Sequence, residues 1–387
     1  MLLRSHRMTT PTLWNMAELS QPPGVHLPPE DVVATGLRGL FYDGLPWKGS
    51  PTRVFAWYGS PPVEPGEKLP AMVLVHGGMG TAFADWVKLW NQRGYAAIAM
   101  DTCGCIPQGS PGQWQRHAMG GPRGWGGFDQ VEAPLPDQWT HHAVADVVLA
   151  HSLLRSFPEV DPQRIGITGI SWGGYLTCLA AAVDARFRFA VPVYGCGFLG
   201  EDSVWLEEFR KLGADKTRRW LHAWDPATYL GDITMPMLWV TGTNDFAYPL
   251  SSWQKSYRLP SAPRTICLQV RMTHGHGGPG ENPPEIRAFA DYHLQGGPSL
   301  PEVTQQGREQ NRAWVRYDFT PHVMKAELNF TRDTGPWSAR QWDSLPAQVV
   351  ATDRIVTGLI PDGVRAYYLN LIDDRGLIVS AEHEELL

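Results

Sequence analysis

Gly169-Ile-Ser-Trp-Gly-Gly174 is the stretch from which the fold of this chain can be read. It follows Arg164-Ile-Gly-Ile-Thr168, a short β-prone run introduced by Asp161-Pro162. It opens onto Tyr175-Leu-Thr-Cys-Leu-Ala-Ala-Ala-Val183, whose Ala and Leu content predicts a buried helix. Strand, sharp turn with Ser171 at its apex, then helix is the setting that a G-x-S-x-G nucleophile elbow requires. A serine pushed out at such a tip has a strained backbone, and side chains on either flank would strike the neighbouring element. Gly169 and Gly173 remove them. The helix then points its free N–H groups and positive dipole end at the oxyanion that forms when Ser171 attacks a carbonyl. The alternative is a Gly-rich turn between strand and helix of the kind common in any α/β protein; with the flanks as they are, the nucleophile reading is preferred.

Outward from the elbow, the chain alternates buried strands and helices. Ala71-Met-Val-Leu-Val75 is an apolar run of the kind that a strand covered on both faces needs, and it ends in His76-Gly-Gly-Met-Gly80. A helix is predicted over Thr81–Gln92, a strand over Tyr95–Met100, and a further helix over His141–Ser156. Phe189–Val193, Met237–Val240 and Arg264–Val270 are the strands after the elbow, and Pro283–Leu294 is the closing helix. Before His76, the Pro-rich opening carries strand candidates at Gly36–Tyr42 and Arg53–Tyr58, predicted to form an antiparallel edge. The whole is an α/β fold with a mostly parallel, doubly wound sheet. Two segments interrupt it: the aperiodic loop 103–138, with Trp114, Trp125 and Phe128, and the insertion 195–220, whose Trp205, Glu207-Glu208 and Arg210 predict a helical cap.

A serine nucleophile needs a base, an acid to orient it, and donors for the oxyanion. Met237-Leu-Trp-Val240 runs into Thr241-Gly-Thr-Asn-Asp-Phe246, so Asp245 falls just past a buried strand, where residues of an open parallel sheet converge on a site. Asp101 and Asp202 are rival acids. Met272-Thr-His-Gly-His-Gly-Gly278 offers His274 or His276 as the base; the flexible Gly-His-Gly favours His276 and leaves His274 as a pocket residue. The His-x-His pair also suggests a metal, but no third carboxylate or Cys ligand is close in sequence, so no metal or other cofactor is expected. In His76-Gly-Gly-Met-Gly80, small residues let backbone N–H groups approach the oxygen. Gly78 and Trp172 are the expected donors, with Met79 where an HGGG loop has glycine.

His76-Gly-Gly, Gly-Ile-Ser-Trp-Gly-Gly, Thr-Asn-Asp and Gly-His-Gly, in that order, resemble an α/β-hydrolase serine esterase over residues 50–298. The nearest branch is the acetylxylan esterase and dienelactone hydrolase group, close to the prolyl oligopeptidase catalytic domain. The resemblance implies Ser171, Asp245 and His276 as the triad. Dienelactone hydrolases typically carry a Cys nucleophile where this elbow has Ser171, and an oligopeptidase would need a propeller ahead of its hydrolase domain. An esterase is the best fit that remains, and the expected substrate is an acetylated carbohydrate such as acetylated xylan or xylo-oligosaccharides. A peptidase or amidase is the alternative, and a hydrolase-fold binding protein without turnover the second. Trp125, Trp139, Trp172 and Trp205 are placed to overhang the site, where indole faces could stack on sugar rings.

From about Ser299 the pattern changes. Val323–Thr331 alternates apolar and polar at period two, Val364–Ile372 is β-prone, and Asp333-Thr-Gly-Pro336, Pro361-Asp-Gly363 and Asp373-Asp-Arg-Gly376 are turns. A small all-β sandwich is expected over 299–387, after a hydrolase domain at 1–298. Its role is read as packing or oligomerisation rather than carbohydrate binding, since Trp337 and Trp342 are its only new aromatic platforms. Composition agrees with a globular enzyme: of 387 residues 43% are hydrophobic and 19% charged, and the net charge of −6 gives no reason to expect nucleic acid or an anionic membrane. Five cysteines without a zinc spacing, and no apolar stretch in Met1–Thr10, fit a reduced cytoplasmic setting with a small ester as partner. Homo-oligomerisation is left open.

Overall fold

The computed structural model describes residues 13–319 and 322–386; the N-terminal reading of Met1–Thr10 lies outside them. The strands in chain order are β1 (Val25–His26), β2 (Arg38–Trp47), β3 (Ser50–Gly59), β4 (Leu69–Val75), β5 (Ala96–Met100), a hairpin of β6 (Cys105–Ser110) and β7 (Gln113–Arg116), β8 (Val160–Ile170), β9 (Ala190–Val193), β10 (Met237–Gly242) and β11 (Arg264–Gln269). Nine of these form one sheet in the order β1-β2-β3-β5-β4-β8-β9-β10-β11. It is parallel from β5 to β11 and antiparallel over β1, β2, β3 and β5, so the Pro-rich opening supplies the expected antiparallel edge.

The helices are α1 (Met16–Leu19), α2 (Ala84–Asn91), α3 (Trp139–Leu154), α4 (Trp172–Val183), α5 (Leu206–Leu212), α6 (Ala214–Trp224), α7 (Leu250–Tyr257), α8 (Gly278–Glu281) and α9 (Pro284–Gln295). Alternate residues of β4 show how they cover the sheet. Ala71, Val73 and Val75 join the core with α3 and α4; Met72 and Leu74 join the opposite core with Trp86, Val87 and Trp90 of α2 and Phe289 of α9. Every residue of α3 is buried, its polar ones included: His142 bonds Pro136 O (2.8 Å) and His151 faces Asp184 (2.8 Å).

The C-terminal strands are β12 (Glu302–Glu309), β13 (Arg312–Asp318), β14 (Val323–Thr331), β15 (Asp343–Val350), β16 (Ile355–Leu359), β17 (Ala366–Asp373), β18 (Ile378–Ser380) and β19 (Glu384–Glu385). They form a second, antiparallel sheet that turns back on itself at β15. The first half of β15 pairs with β14 and the second half with β16. A core of Val315, Leu328, Val356, Leu369 and Leu371 fills the fold, so the unit is a sandwich. Its link to the first sheet solves an edge problem: β11 is the last strand there, and Ser380 and Asn370 bond the Leu268 backbone in place of a further ladder. Trp337 and Trp342 are not surface platforms. Both are buried, stacked on each other at 6.3 Å, in the core shared with the first sheet.

The two interruptions are ordered. Loop 103–138 carries the β6–β7 hairpin and is pinned where Trp139 N–H donates to Gln130 Oε1 (2.7 Å) and the Trp220 indole N–H to Gly126 O (2.8 Å). The 195–220 insertion forms α5 and α6, the expected helical cap.

Candidate active site

Ser171 sits between β8 and α4 with φ 59° and ψ −118°, a conformation that L-residues avoid and that marks a strained functional turn. Its N–H donates to Val193 O (2.9 Å), and its carbonyl accepts the first helical bond from Tyr175 N–H (2.9 Å). The flanking glycines are required sterically. A Cβ on Gly173 would sit 2.6 Å from His76 O and closer still to Val75 O; one on Gly169 would collide with the Gly173 carbonyl. The elbow is therefore wedged against the end of β4, which brings the His76–Gly80 loop over the serine. A Cβ on Gly77 would lie 2.9 Å from Ser171 Cβ.

That loop is held by polar contacts that the sequence alone does not disclose. His76 is buried, accepts Thr102 N–H at Nε2 (3.0 Å) and so donates from Nδ1 to Gly77 O (2.9 Å). Burial lowers its pKa, and it works here as a neutral brace. Asp101, a rival acid in the sequence, is spent nearby: Oδ1 accepts the N–H groups of Cys103 (2.8 Å) and Cys105 (2.7 Å), and Oδ2 the Thr81 hydroxyl (3.0 Å). Asp202 accepts the Ser251 hydroxyl.

Asp245 is the acid that meets a histidine, and the histidine is His274. Asp245 Oδ2 lies 2.6 Å from His274 Nδ1, while Oδ1 accepts Ala247 N–H (2.9 Å) and Tyr248 N–H (2.7 Å). The Tyr194 ring stacks on His274 at 4.5 Å, and Phe246 lies 4.8 Å from it. The expected pairing of Asp245 with His276 is thus corrected. His276, two residues on, turns toward the other side of the site: Nε2 accepts Gly77 N–H (2.9 Å) and Nδ1 faces Glu281 (3.3 Å). The Gly-His-Gly flexibility gave His276 room to move, but the carboxylate fixes the geometry, and only His274 reaches it.

The two histidines being occupied separately also sorts the oxyanion loop. Gly77 N–H is taken by His276 and Gly80 N–H by Gly77 O (3.1 Å), which leaves the N–H groups of Gly78 and Met79. Trp172 opens α4, where N–H groups have no intrahelical partner. Gly78 lies over the Trp172 indole, 3.1 Å from it at the point a Cβ would occupy. Met79 has φ 60° and an exposed side chain. Of the four tryptophans expected to overhang the site, Trp139 is fully buried and Trp172 nearly so; Trp125 and Trp205 are half-buried. Trp205 packs on Trp172 (4.6 Å), and Trp125 on His76 (5.7 Å). Tyr194, Glu281 and Thr102 were missed in the sequence, although Tyr194 directly follows a strand, where site residues gather.

This sheet order, with the strained serine between the central strand and its helix and a histidine–carboxylate pair on the last two strand ends, settles the class. The chain has the α/β-hydrolase fold, and it is similar to acetyl xylan esterases. The acetyl xylan esterase family model matches residues 13–202, and the prolyl oligopeptidase family model matches residues 123–295. Among solved structures, an acetyl xylan esterase from Paenibacillus sp. R4 aligns with TM-score 0.60 at 22% identity, covering 76% of this hydrolase and 100% of that chain. Acetyl Xylan Esterase 1 from Thermoanaerobacterium sp. JW/SL YS485 aligns with TM-score 0.54 at 20% identity, covering 76% and 97%. An uncharacterized peptidase of Bacillus subtilis (strain 168) is 23% identical over 53% of this hydrolase and 30% of its own length. This hydrolase spans less than two thirds of such curated relatives, 53% of a second one. Among the described residues no helix is long and apolar enough to cross a membrane.

Proposed function

We propose that this hydrolase cleaves carboxylic esters through an acyl-enzyme, with Ser171 as nucleophile, His274 as base and Asp245 as the acid that orients it. The observation that carries this is the 2.6 Å contact of Asp245 with His274, which follow β10 and β11 in the same sheet whose β8 runs into the strained Ser171. Asp245 holds the tautomer in which Nδ1–H faces the carboxylate, leaving Nε2 free to take the serine proton and return it to the leaving alcohol. Gly78 and Trp172 N–H groups hold the oxyanion, and water then releases the acyl group. Trp125 and Trp205 are assigned to the walls around the substrate, and Met79 to the oxyanion loop through its backbone.

The acyl group is small in this reading, most simply acetyl, on a carbohydrate ester such as acetylated xylan or its oligosaccharides. Two observations support it: the Trp172 indole closes off the space beside Gly78, and the acetyl xylan esterase match spans both the His76 loop and the elbow. Residues 1–298 form the hydrolase unit in this proposal and 299–387 the sandwich, and five unpaired, buried cysteines favour the cytoplasm.

A peptidase or amidase is the second reading, since the prolyl oligopeptidase match alone spans Asp245 and His274. Hydrolysis of p-nitrophenyl acetate, longer acyl esters and an acylaminoacyl p-nitroanilide by wild type and Ser171→Ala, with acetate release from acetylated xylan, separates these. Acetyl ester cleavage lost in Ser171→Ala and indifferent to EDTA is the expected result. Faster cleavage of the anilide favours the second reading, and activity that survives Ser171→Ala overturns both.

A further inference from the structure

The turn from Trp337 to Trp342 of the sandwich grips both loops that carry the acid and the base. On the acid side the contact is Asn244, the residue before Asp245. Its Nδ2 faces three carbonyls of that segment: Trp337 O (3.2 Å), Ser338 O (3.2 Å) and Arg340 O (2.7 Å). With its amide turned this way, Oδ1 accepts the Thr243 hydroxyl (2.8 Å). On the base side the contact is Arg271, three residues before His274. Its guanidinium donates to Trp342 O (3.0 Å) and Gln341 Oε1 (3.2 Å), and its own N–H donates to Thr243 Oγ1 (3.0 Å). Thr243 thus links the two loops, and Asn244 and Arg271 bolt the pair to the sandwich.

The segment is itself rigid. Trp337 and Trp342 stack within the core, and the Arg340 guanidinium lies 3.5 Å over the Trp337 ring. Arg340 also donates to Gly335 O (2.9 Å), and Asp333 accepts Gln341 N–H (2.7 Å). Other polar bonds join the sandwich to the first sheet at Leu268 and to Glu285, but those to Asn244 and Arg271 fall on the two loops that carry Asp245 and His274. Loops at the end of a parallel sheet are otherwise free to drift, and catalysis loses steeply with displacements of about 1 Å.

We propose that the C-terminal sandwich completes the active site: the Trp337–Trp342 segment, held by Asn244 and Arg271, sets Asp245 against His274, which makes Asn244 and Arg271 positioning residues. The proposal rests on the triad assigned above and gives the sandwich a part in turnover beyond packing.

The test uses the full chain and two variants. Asn244→Asp keeps the volume but turns an oxygen toward three carbonyl oxygens. Arg271→Ala alters an exposed residue whose loss leaves the cores intact, and Arg271→Lys restores one donor. Active sites are counted by titration of Ser171 with a phosphonate, so that misfolded protein drops out. Per titrated site, kcat on p-nitrophenyl acetate is expected to fall about tenfold or more in Asn244→Asp and Arg271→Ala, with KM within about twofold and partial recovery in Arg271→Lys. A second readout needs no substrate: the far-downfield imidazole proton of His274 Nδ1, assigned by its loss in Asp245→Ala, is expected to shift or vanish in both variants. Unchanged kcat per site, or an unchanged proton signal in both, overturns the proposal. A wild type that phosphonate does not titrate, or full activity in Ser171→Ala, instead removes the ester-hydrolase reading while the proton signal still decides the positioning role.

Discussion

Asp245 Oδ2 lies 2.6 Å from His274 Nδ1 while the other oxygen of the same carboxylate takes the N–H groups of Ala247 and Tyr248. Three donors thus fix one buried side chain, and the imidazole follows its orientation. His276 has no such partner in Asp245; it meets Gly77 N–H and Glu281. His274→Ala and Asp245→Asn are therefore expected to lower kcat by about 10³–10⁴ on p-nitrophenyl acetate. His276→Ala, which frees the Gly77 N–H and loosens the oxyanion loop, is expected to cost only about tenfold. Steady-state kinetics of the three variants checks this, and the reverse ranking would hand the base role to His276 with Glu281 as its acid.

The elbow makes a prediction about stability rather than chemistry. Gly173→Ala drives a methyl into the carbonyls at the end of β4, where neither strand nor helix can give way. A loss of more than about 3 kcal/mol, or failure to accumulate as folded protein, is expected. Gly231→Ala is the control: nothing lies within 4 Å of its Cβ position, and a change within about 0.5 kcal/mol is expected. Urea unfolding of the two variants measures the difference.

These two cases also show what the sequence could and could not reveal. Strand, elbow and helix are encoded locally, by the apolar run before Ser171 and the glycines around it, so the fold class and the strained turn at Ser171 were legible. The placement of Ser171, Asp245 and the two histidines after β8, β10 and β11 was legible too, because each falls past the end of a β-prone run. The choice between His274 and His276 was not, since both lie in one flexible loop and the decision rests on a carboxylate 29 residues away. The contacts of Asn244 and Arg271 span 70 residues or more, which no local pattern records. Loop 103–138 looked structureless for a related reason. What orders it includes partners distant in sequence, the Trp220 indole N–H on Gly126 O and Met79 O under the Trp114 indole N–H.

Acid should weaken the fold through its buried histidines. His383 is held down to about 3 by burial, helped by Arg258 and Arg340, and His142 to about 4 by burial and by His141. In the unfolded chain both titrate near ~6.5. Between that value and about 4 the unfolded chain takes up protons that the folded one refuses, so stability from these sites is whole above pH ~6.5 and falls as the pH drops through the window. Melting temperature is expected to decline from pH 7 to pH 5. In His383→Gln, with one titrating site fewer, the decline should be shallower, whatever the substitution does to stability at pH 7. Parallel pH profiles for the two proteins would refute the assignment.

The last expectation concerns how the β6–β7 hairpin supports the oxyanion loop. Met79 occupies φ 60°, a region that disfavours side chains, and its carbonyl is what keeps it there: it accepts Gly112 N–H (2.9 Å) and Trp114 Nε1–H (2.7 Å). The Met79 side chain itself is exposed, so the backbone conformation rather than the thioether is what the site uses. Trp114→Phe removes one of the two donors while keeping an aromatic ring against Phe83. A lost bond of this kind is worth about 1 kcal/mol, and a loop that relaxes by that amount should cost a few-fold in kcat, with little change in KM or melting temperature. Met79→Gly should keep wild-type kcat, because glycine adopts this φ without penalty and the carbonyl stays in place. Met79→Val should be the damaging substitution, since a β-branched residue resists positive φ and pulls the loop away from its two donors. Stopped-flow acylation rates for the three variants, ranked glycine, then phenylalanine at 114, then valine, test whether the hairpin holds the oxyanion donors or merely covers them.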